Sequence, residues 1–364
     1  MENKTAEYIS DFRLNGRKQQ FKIKWKGEKD AEWKSLEEVY IDREMIQSFK
    51  DDFLIKFLSF CDNRDYEKAF LIQPALSVTQ VFARIGLLGV PVDFEFVSSY
   101  ELMKNKQREK LAEAAEELNK KLSPKEQIHV ENEVDLELLN FEWSNKYETS
   151  IDLTKNTLLQ GCKCNGTCFN VAKCACVCRY DRRGRLKKVA EDRSAIYECG
   201  VHCECDGEKC LNRVVQKGSN CSLCIFRTLK TGWGVKAIED IEKGTMISEF
   251  CGEVITNKQS NQRAKTSEYQ NKNMTYFFQT DGDLTIDGTK ADNEARFFNH
   301  SCDPNMNVFQ VITDFKSKLH KLVFFASKKI RKVTELTFDY GLKSKNRGGV
   351  ICECGQKKCK KLTF

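Results

Sequence analysis

The sequence lacks several features that would each assign it to a broad class of protein. No apolar run is long enough to span a membrane and none follows the opening MENKTAEYIS, so we expect neither a membrane protein nor a secreted one. Lysine and arginine number 60 against 53 aspartates and glutamates, and the net charge of +7 is too small for a dedicated DNA-binding protein. A length of 364 residues predicts two or three domains with a buried core.

Histidine is also scarce, with 4 residues, whereas cysteine is abundant, with 18. Disulfides do not persist in the reducing interior of a cell, so thiols at short spacing there indicate metal binding. A disulfide framework is the alternative, and the absence of a secretory segment disfavours it. With so few imidazoles, a metal site in this chain must be built mainly from thiolates.

The densest group of cysteines lies in residues 161–213. A tetrahedral zinc ion binds four thiolates, so nine thiolates complete three sites only if three of them each bridge two ions. The sequence therefore predicts three zinc ions bound by Cys162, Cys164, Cys168, Cys174, Cys176, Cys199, Cys203, Cys205 and Cys210. Cys178 is a tenth thiol that could substitute for Cys176. The lone C-x-x-C of Cys221 and Cys224 is interpreted as packing.

Residues 296–305, RFFNHSCDPN, combine aromatic rings, an amide, an imidazole and a thiol, and Pro304 prevents a helix from running through them. A second motif, ELTFDYG, follows at residues 335–341. The C-terminal C-x-C-x4-C consists of Cys352, Cys354 and Cys359. Three thiolates are one short of a closed zinc site, and Cys302 in the first motif is the predicted fourth ligand. This zinc ion would hold the C-terminal segment over the central motif.

Together with GWGV at residues 232–235, these motifs resemble the SET-domain protein lysine methyltransferases. The cysteine cluster followed by CLNRVVQKG is similar to the pre-SET module of the suppressor-of-variegation class, which methylates lysine 9 of histone H3. The resemblance implies a mainly β SET-domain fold with some helix, in which small curved sheets form a pseudoknot. It implies S-adenosylmethionine and four zinc ions as cofactors. The implied partners are the histone H3 tail or nucleosome and heterochromatin proteins, in the nucleus.

The resemblance also assigns roles to individual residues. Tyr340 is the main catalytic hydroxyl, and Tyr276 is a second wall of the lysine channel. Phe338 stands where the family carries either Phe or Tyr; a phenylalanine leaves room for a methylated amine, so dimethyl or trimethyl products are expected. The residues expected to surround the cofactor are Gly232, Trp233, Gly234, Tyr276, Arg296, Asn299 and His300.

The N-terminal residues 5–57 are predicted to form a small α+β domain. The stretch QFKIKWKG alternates apolar and basic residues, as a half-buried strand does. A following helix is predicted from the spacing of Ile46, Phe49, Phe53 and Phe57. The segment resembles a chromodomain, in which an aromatic cage binds methyl-lysine. Tyr8 and Trp25 match two cage walls, but Glu28 replaces the third; the alternative is that these aromatics are core residues.

The remaining boundaries follow from composition and from the resemblance. Residues 58–127 are a linker region with an amphipathic helix at 101–122. The pre-SET region is expected at 128–218, the SET catalytic domain at 219–341 and the post-SET segment at 348–364.

Several alternatives remain open at this point. The target could be another histone lysine or a non-histone lysine. The chain could instead be a chromatin scaffold or methyl-lysine reader without turnover. The basic stretches RYDRRGRLKK and KKCKK favour a weak nucleic-acid contact, although no base-reading helix is evident.

Overall fold

The computed structural model describes residues 6–15, 18–28, 31–35, 45, 94–123, 126–155, 157, 161–169, 174, 176–187, 194–266, 276–280, 282–341, 352, 354–357 and 359–360. The chain forms two compact units, one of Met1–Leu111 with Asn132–Leu138 and one of Ala112–Glu131 with Leu139–Phe364. Within the described ranges, every helix is too short or too polar to cross a membrane.

The first unit contains a three-stranded antiparallel sheet of β1 (Ala6–Asn15), β2 (Lys18–Trp25) and β3 (Ala31–Ser35), with β2 in the centre. Ile23 and Trp25, two residues apart on β2, are both buried, which fits the predicted strand alternation. Tyr8 on β1 is 50% exposed whereas Trp25 is 2% exposed. This burial favours a core role for Trp25, and the methyl-lysine cage stays a prediction. The helix predicted from Ile46 to Phe57 lies outside the described residues.

Helix α1 (Phe94–Asn119) begins earlier than the predicted amphipathic helix and ends slightly before it. In the first unit, its buried Lys104 donates hydrogen bonds to the Asn132 and Asp135 carbonyls at 2.6 and 2.8 Å. At the C-terminus of α1, the Asn119 amide donates to the Ile128 carbonyl and accepts from its backbone N–H, at 2.9 and 2.8 Å. These side-chain contacts connect the helix to the strand that follows it.

The second unit is built from short strands in small sheets, as expected from the sequence. Its elements are β4 (Ile128–Glu131), β5 (Glu142–Trp143), β6 (Tyr147–Glu148), β7 (Ile196–Tyr197), β8 (Leu223–Arg227), β9 (Trp233–Ala237), β10 (Met246–Phe250), β11 (Gly252–Thr256), α2 (Asn257–Arg263), β12 (Phe277–Gln279), β13 (Leu284–Asp287), β14 (Ala291–Asp292), β15 (Asn299–His300), β16 (Met306–Ile312), β17 (Lys321–Ala326) and β18 (Thr337–Phe338). The larger sheets have the orders β10-β17-β16-β7, β12-β13-β11-β6 and β4-β8-β9.

The run MISEFCGEVI is divided into two strands that belong to different sheets. Gly252, between them, has a φ of +140°, and a Cβ there would lie 2.5 Å from the Asp287 carbonyl oxygen. Only glycine allows this bend, because any side chain would collide with β13. The strands surround one main core that includes Val235, Ile247 and Phe324.

The two central motifs meet in a parallel pair of strands. Residue Asn299 of β15 pairs with Thr337 of β18, and His300 pairs with Phe338. The Ser301 N–H donates to the Phe338 carbonyl at 3.0 Å, which extends the pairing. Backbone hydrogen bonding therefore brings together two motifs that are separated in sequence.

Candidate active site and metal centres

Asn299 fixes the position of the GWG segment. Its Nδ2 amide lies 2.9 Å from the Glu335 carboxylate. It also lies 3.2 Å from the Trp233 carbonyl and 3.1 Å from the Thr231 hydroxyl. A Cβ on Gly234 would approach Glu335 Oε1 to 2.8 Å and Asn299 Nδ2 to 3.1 Å, so a glycine is required where these side chains converge.

His300 of the central motif contacts both Tyr340 and a thiol. Its Nδ1 atom accepts a hydrogen bond from the Tyr340 backbone N–H at 3.2 Å, and its Nε2 atom lies 3.4 Å from Cys302 Sγ. Burial lowers the pKa of His300, so the neutral imidazole is favoured. Since Nδ1 is the acceptor, Nε2 carries the proton and donates to the Cys302 sulfur.

Tyr340 lies in an aromatic enclosure. Its hydroxyl donates to the Phe298 carbonyl at 2.7 Å, and its ring centroid lies 4.7 Å from that of Phe338. Burial, reinforced by nearby Tyr276 and Glu335, raises the pKa of Tyr340 well above its usual value. The hydroxyl is therefore a stable neutral hydrogen-bonding group and not a base.

Phe338 is 9% exposed and is held by other aromatic rings. It stacks on Phe278 with a centroid distance of 6.0 Å and an interplanar angle of 13°. Phe324 contacts it edge-on at 5.0 Å. With Tyr340, these rings form an aromatic cluster, and the lysine channel expected at Tyr340, Tyr276 and Phe338 stays a prediction.

Tyr276 and Arg296 contact each other. The Arg296 guanidinium lies 4.0 Å from the centroid of the Tyr276 ring, a cation–π arrangement. Arg296 also donates to the carbonyls of Gly288 and Thr289, and the Gly288 N–H donates to the Tyr276 carbonyl. Arg296 thus orients the ring that was predicted to face the substrate.

A cavity of about 460 Å³ opens beside the paired motifs. Its lining includes Thr231, Asn299, His300, Glu335, Lys328 and Cys354. The volume falls within the range of about 300–1,000 Å³ typical of small-molecule sites. Cys354 and Gln356 bring the C-terminal segment into this lining, and the cavity's size and polar lining fit S-adenosylmethionine. Of the residues predicted to surround the cofactor, Asn299 and His300 line the cavity, whereas Gly232, Trp233, Gly234, Tyr276 and Arg296 lie outside its lining.

Four thiols gather at the C-terminal end of the chain. They are Cys302, Cys352, Cys354 and Cys359, whose sulfur atoms all lie within 4.8 Å of one another. Cys352 Sγ lies 3.9 Å from Cys302 Sγ and 3.7 Å from Cys359 Sγ. Ligands about 2.3 Å from a tetrahedral zinc ion are about 3.8 Å apart, so the four thiols fit zinc. A disulfide would require about 2 Å.

The nine cysteines of the predicted cluster also come together. The described residues include three overlapping groups of four thiols: Cys162 with Cys174, Cys176 and Cys199; Cys162 with Cys168, Cys199 and Cys205; and Cys162 with Cys164, Cys168 and Cys174. Cys203 Sγ lies 3.7 Å from Cys176 Sγ, and Cys210 is buried in the same cluster. Groups that share members are what bridging thiolates require, so the geometry fits the three-zinc cluster.

Among the described residues, four other cysteines lie outside these sites: Cys178, Cys221, Cys224 and Cys251. The Cys178 thiol contacts the Tyr180 carbonyl at 3.7 Å within a separate hydrophobic cluster. Cys221 and Cys224 are both buried, and burial raises the pKa of each to about 12. Such thiols are unreactive, in agreement with a packing role.

Sequence reasoning missed several residues of the site. Glu335 begins the ELTFDYG motif, and its contact with Asn299 could have been sought there. Phe278 lies two residues after the predicted Tyr276, and its stacking on Phe338 is seen only in the structure. The Phe298 carbonyl gives no sequence signal at all, because every residue has one.

The sequence and fold match known proteins. The Pre-SET motif matches residues 120–213 and the SET domain matches residues 232–341. The chain is 33% identical over 387 residues to the histone-lysine N-methyltransferase SUV39H2 of Xenopus tropicalis, which covers 99% of this chain and 89% of that relative.

Two solved structures have a similar fold. One is KRYPTONITE in complex with mCHH DNA, an H3(1–15) peptide and SAH, at 31% identity and a TM-score of 0.56 over 66% of this chain and 52% of the other. The second is the Neurospora SET domain protein DIM-5, a histone lysine methyltransferase, at 30% identity and a TM-score of 0.52 over 62% of this chain and 99% of the other. These matches confirm the predicted SET-domain fold.

Proposed function

Because this chain belongs to the SUV39 family of histone-lysine N-methyltransferases, we propose that it transfers methyl groups from S-adenosylmethionine to lysine 9 of histone H3. The observation that carries the proposal is the pairing of β15 with β18, which sets Tyr340 and Phe338 beside Asn299 and His300. We place the activity on nuclear chromatin, where it would contribute to heterochromatin formation and gene silencing.

Catalysis by this site depends mainly on alignment and on exclusion of water. S-adenosylmethionine supplies a methyl group already activated on a sulfonium. The aromatic rings of Phe278, Phe338 and Tyr340 surround an apolar channel, which disfavours the charged form of an entering lysine and lowers its pKa. The Tyr340 hydroxyl, anchored on the Phe298 carbonyl, remains protonated and orients the resulting neutral amine.

Around this channel, two groups of residues hold the site together. Asn299 and Glu335 line the cofactor cavity, and the Asn299 amide also donates to the Trp233 carbonyl of the GWG segment. His300 connects Tyr340 to Cys302, and the zinc ion bound by Cys302 would keep the C-terminal segment closed over the cavity. The zinc ions have no chemical step to perform; they determine where the residues lie.

Methyl transfer to peptides of the H3 tail tests the proposal. The unmodified peptide should accept methyl groups and the same peptide with lysine 9 replaced by arginine should not. Equal methyl transfer to both peptides would show that the enzyme's target is a lysine other than lysine 9. No transfer to either peptide or to a panel of other histones would support a scaffold without turnover.

A substitution at Tyr340 tests the site itself. Tyr340→Phe removes the hydroxyl and keeps the ring, so kcat should fall about 100- to 1,000-fold, the usual cost of one preorganised hydrogen-bonding group. Tyr197→Phe is a matched control, because that tyrosine is 42% exposed and lies on β7. A Tyr340→Phe enzyme with normal kcat would contradict the assigned role.

A further inference from the structure

A short hairpin between the two halves of the cysteine cluster is firmly anchored in the second unit. Tyr180 and Leu186 form an antiparallel bridge and are 0% and 4% exposed. The Tyr180 hydroxyl donates to the Glu198 carboxylate at 2.9 Å, and the Leu186 N–H donates to the Gly244 carbonyl at 2.7 Å. We call residues 179–187 the basic hairpin.

The acidic residue of the basic hairpin is neutralised within it. One carboxylate oxygen of Asp181 accepts from the backbone N–H groups of Arg183 and Arg185, at 2.8 and 2.9 Å. The other oxygen pairs with the Arg185 guanidinium at 2.9 Å. Asp181 and Arg185 therefore shape the turn and cancel each other's charge.

Arg179 is half-buried and donates to the Ser194 carbonyl at 2.7 Å, whereas the other three cations of the hairpin face solvent. Arg182, Arg183 and Lys187 are exposed, and none of them pairs with a carboxylate of the described residues. The charged groups of Arg182 and Lys187 lie 5.2 and 5.4 Å from the centroid of the Phe169 ring. Two cations on one ring, with a third beside them, form a positive surface on a rigid support.

A cleft of about 600 Å³ adjoins this surface and shares Arg182 and Arg183 with it. Its other charged lining residues are Arg185, Arg213, Lys217, Glu239, Asp240 and Glu242. Asp240 and Glu242 pair with Lys329 at 3.5 and 2.8 Å, which offsets their charge. The cations therefore outnumber the carboxylates in the cleft, and the cleft adds to the positive charge of the hairpin.

We propose that the outer face of the basic hairpin, formed by Arg182, Arg183 and Lys187, binds the phosphate backbone of duplex DNA next to the nucleosome that carries the substrate tail. The inference rests on the proposed function, since it supplies a second contact for an enzyme acting on a histone tail. Contacts with DNA phosphates position a protein without reading the base sequence. The hairpin has no helix to insert into a DNA groove, so a phosphate contact suits it. A net charge of only +7 fits an auxiliary contact of this kind.

The test replaces all three cations together. In Arg182→Gln/Arg183→Gln/Lys187→Gln, the slope of log K against log salt for a 30-base-pair duplex should become less steep by about 3, because each lost phosphate contact removes about 0.9. The KM for nucleosomes should rise about 10-fold at 0.1 M salt, whereas kcat and KM for the H3 tail peptide should not change. The matched control, Lys106→Gln/Lys110→Gln/Lys121→Gln, removes the same charge from α1 and the turn after it.

The outcomes separate this inference from the proposed function. The wild-type enzyme could methylate the peptide while the hairpin variant shows the same nucleosome KM and the same salt slope as the wild type. That result would overturn the DNA contact and leave the proposed function intact. If the control variant lost as much nucleosome affinity and salt dependence as the hairpin variant, net charge alone would explain the effect. That result would also overturn the DNA contact. Tighter binding of single-stranded RNA than of duplex DNA, lost in the hairpin variant, would assign the surface to a different partner. Absence of peptide methylation in the wild-type enzyme would refute the proposed function, while the DNA-binding measurement would still decide the hairpin.

Discussion

The chain has two thiolate sites with the same ligand chemistry and different surroundings. In the pre-SET cluster, Cys199 and Cys210 are completely buried, and every ligand comes from residues 162–210. At the C-terminal site only Cys352 is fully buried, and Cys302 comes from the central motif, far away in sequence. The first site cross-links residues within a single segment of the chain, residues 162–210. The second site connects the C-terminal segment to the central motif.

The difference indicates two roles for zinc in one protein. A buried cluster with shared ligands adds its binding free energy to folding, because no preformed site exists in the unfolded chain. A zinc ion at the half-exposed site that includes Cys302 would instead hold the C-terminal segment at the cavity, since Cys302 contacts His300 and Cys354 lines the cavity. Substitutions in the first site should therefore affect folding, and substitutions in the second should affect activity.

The largest effect is expected for Cys199→Ser. Cys199 belongs to two of the overlapping groups, so its loss removes a ligand from more than one ion. The free energy of unfolding should fall by several kcal/mol, because structural zinc contributes about 10–16 kcal/mol in small metal-dependent folds. Zinc content and thermal unfolding of the purified protein measure this. Cys178→Ser is the control, since that buried thiol lies outside the groups, and it should retain four zinc ions. A Cys199→Ser protein with normal zinc content and Tm would contradict the cluster.

The second effect is a loss of activity without unfolding. Cys302→Ser should leave three zinc ions and an unchanged main unfolding transition, while kcat/KM falls about 100-fold, the cost of misplacing reacting groups by about 1 Å. Cys221→Ser is the matched control, because its thiol lies outside both zinc sites and donates to the Met246 carbonyl at 3.6 Å, a contact that serine preserves. Full activity in Cys302→Ser would show that the C-terminal segment is not needed to close the site.

The same comparison shows what the sequence could predict. Cysteine spacing predicted the ligands of both sites because zinc fixes the ligand number and a count of nine thiolates then requires bridging, and the structure gathers these thiols. The small sheets were predicted from short β-type runs, such as KLVFFA, separated by turn residues, and the family matches confirm the SET fold. These features depend on local patterns or on fixed stoichiometry.

Other features depend on contacts between distant segments, which spacing does not encode. The Glu335 carboxylate is placed against Asn299 by the β15–β18 pairing. The burial of Lys104 in α1 reflects tertiary packing, because its amino group donates to the carbonyls of residues 132 and 135. A lysine at such a position is normally predicted to face solvent. The aromatic cage was carried over from a resemblance and stays a prediction.

A third prediction concerns the order in which zinc leaves. A chelator reaches half-exposed thiolates sooner than buried ones, so the C-terminal ion should be released first. About one zinc per chain should be lost with the same time course as activity, while circular dichroism and Tm remain near their initial values. Added zinc should restore activity. Release of all the zinc in one phase together with unfolding would mean that the two sites are one cooperative unit.

The smallest effect is expected inside the channel that the C-terminal site closes. Phe338→Tyr adds one hydroxyl against Phe278 and Phe324, which contact Phe338 at 6.0 and 5.0 Å. That hydroxyl can hold a water molecule where a methylated amine would have to rotate, so the products should shift from dimethyl and trimethyl to monomethyl. The rate of the first methylation should change less than about 10-fold, since one added hydrogen bond contributes only about 0.5–1.5 kcal/mol. Mass spectrometry of the peptide products measures the shift, and zinc content should remain at the wild-type value. Monomethyl product alone from the wild-type enzyme, unchanged in Phe338→Tyr, would show that this ring does not determine the product.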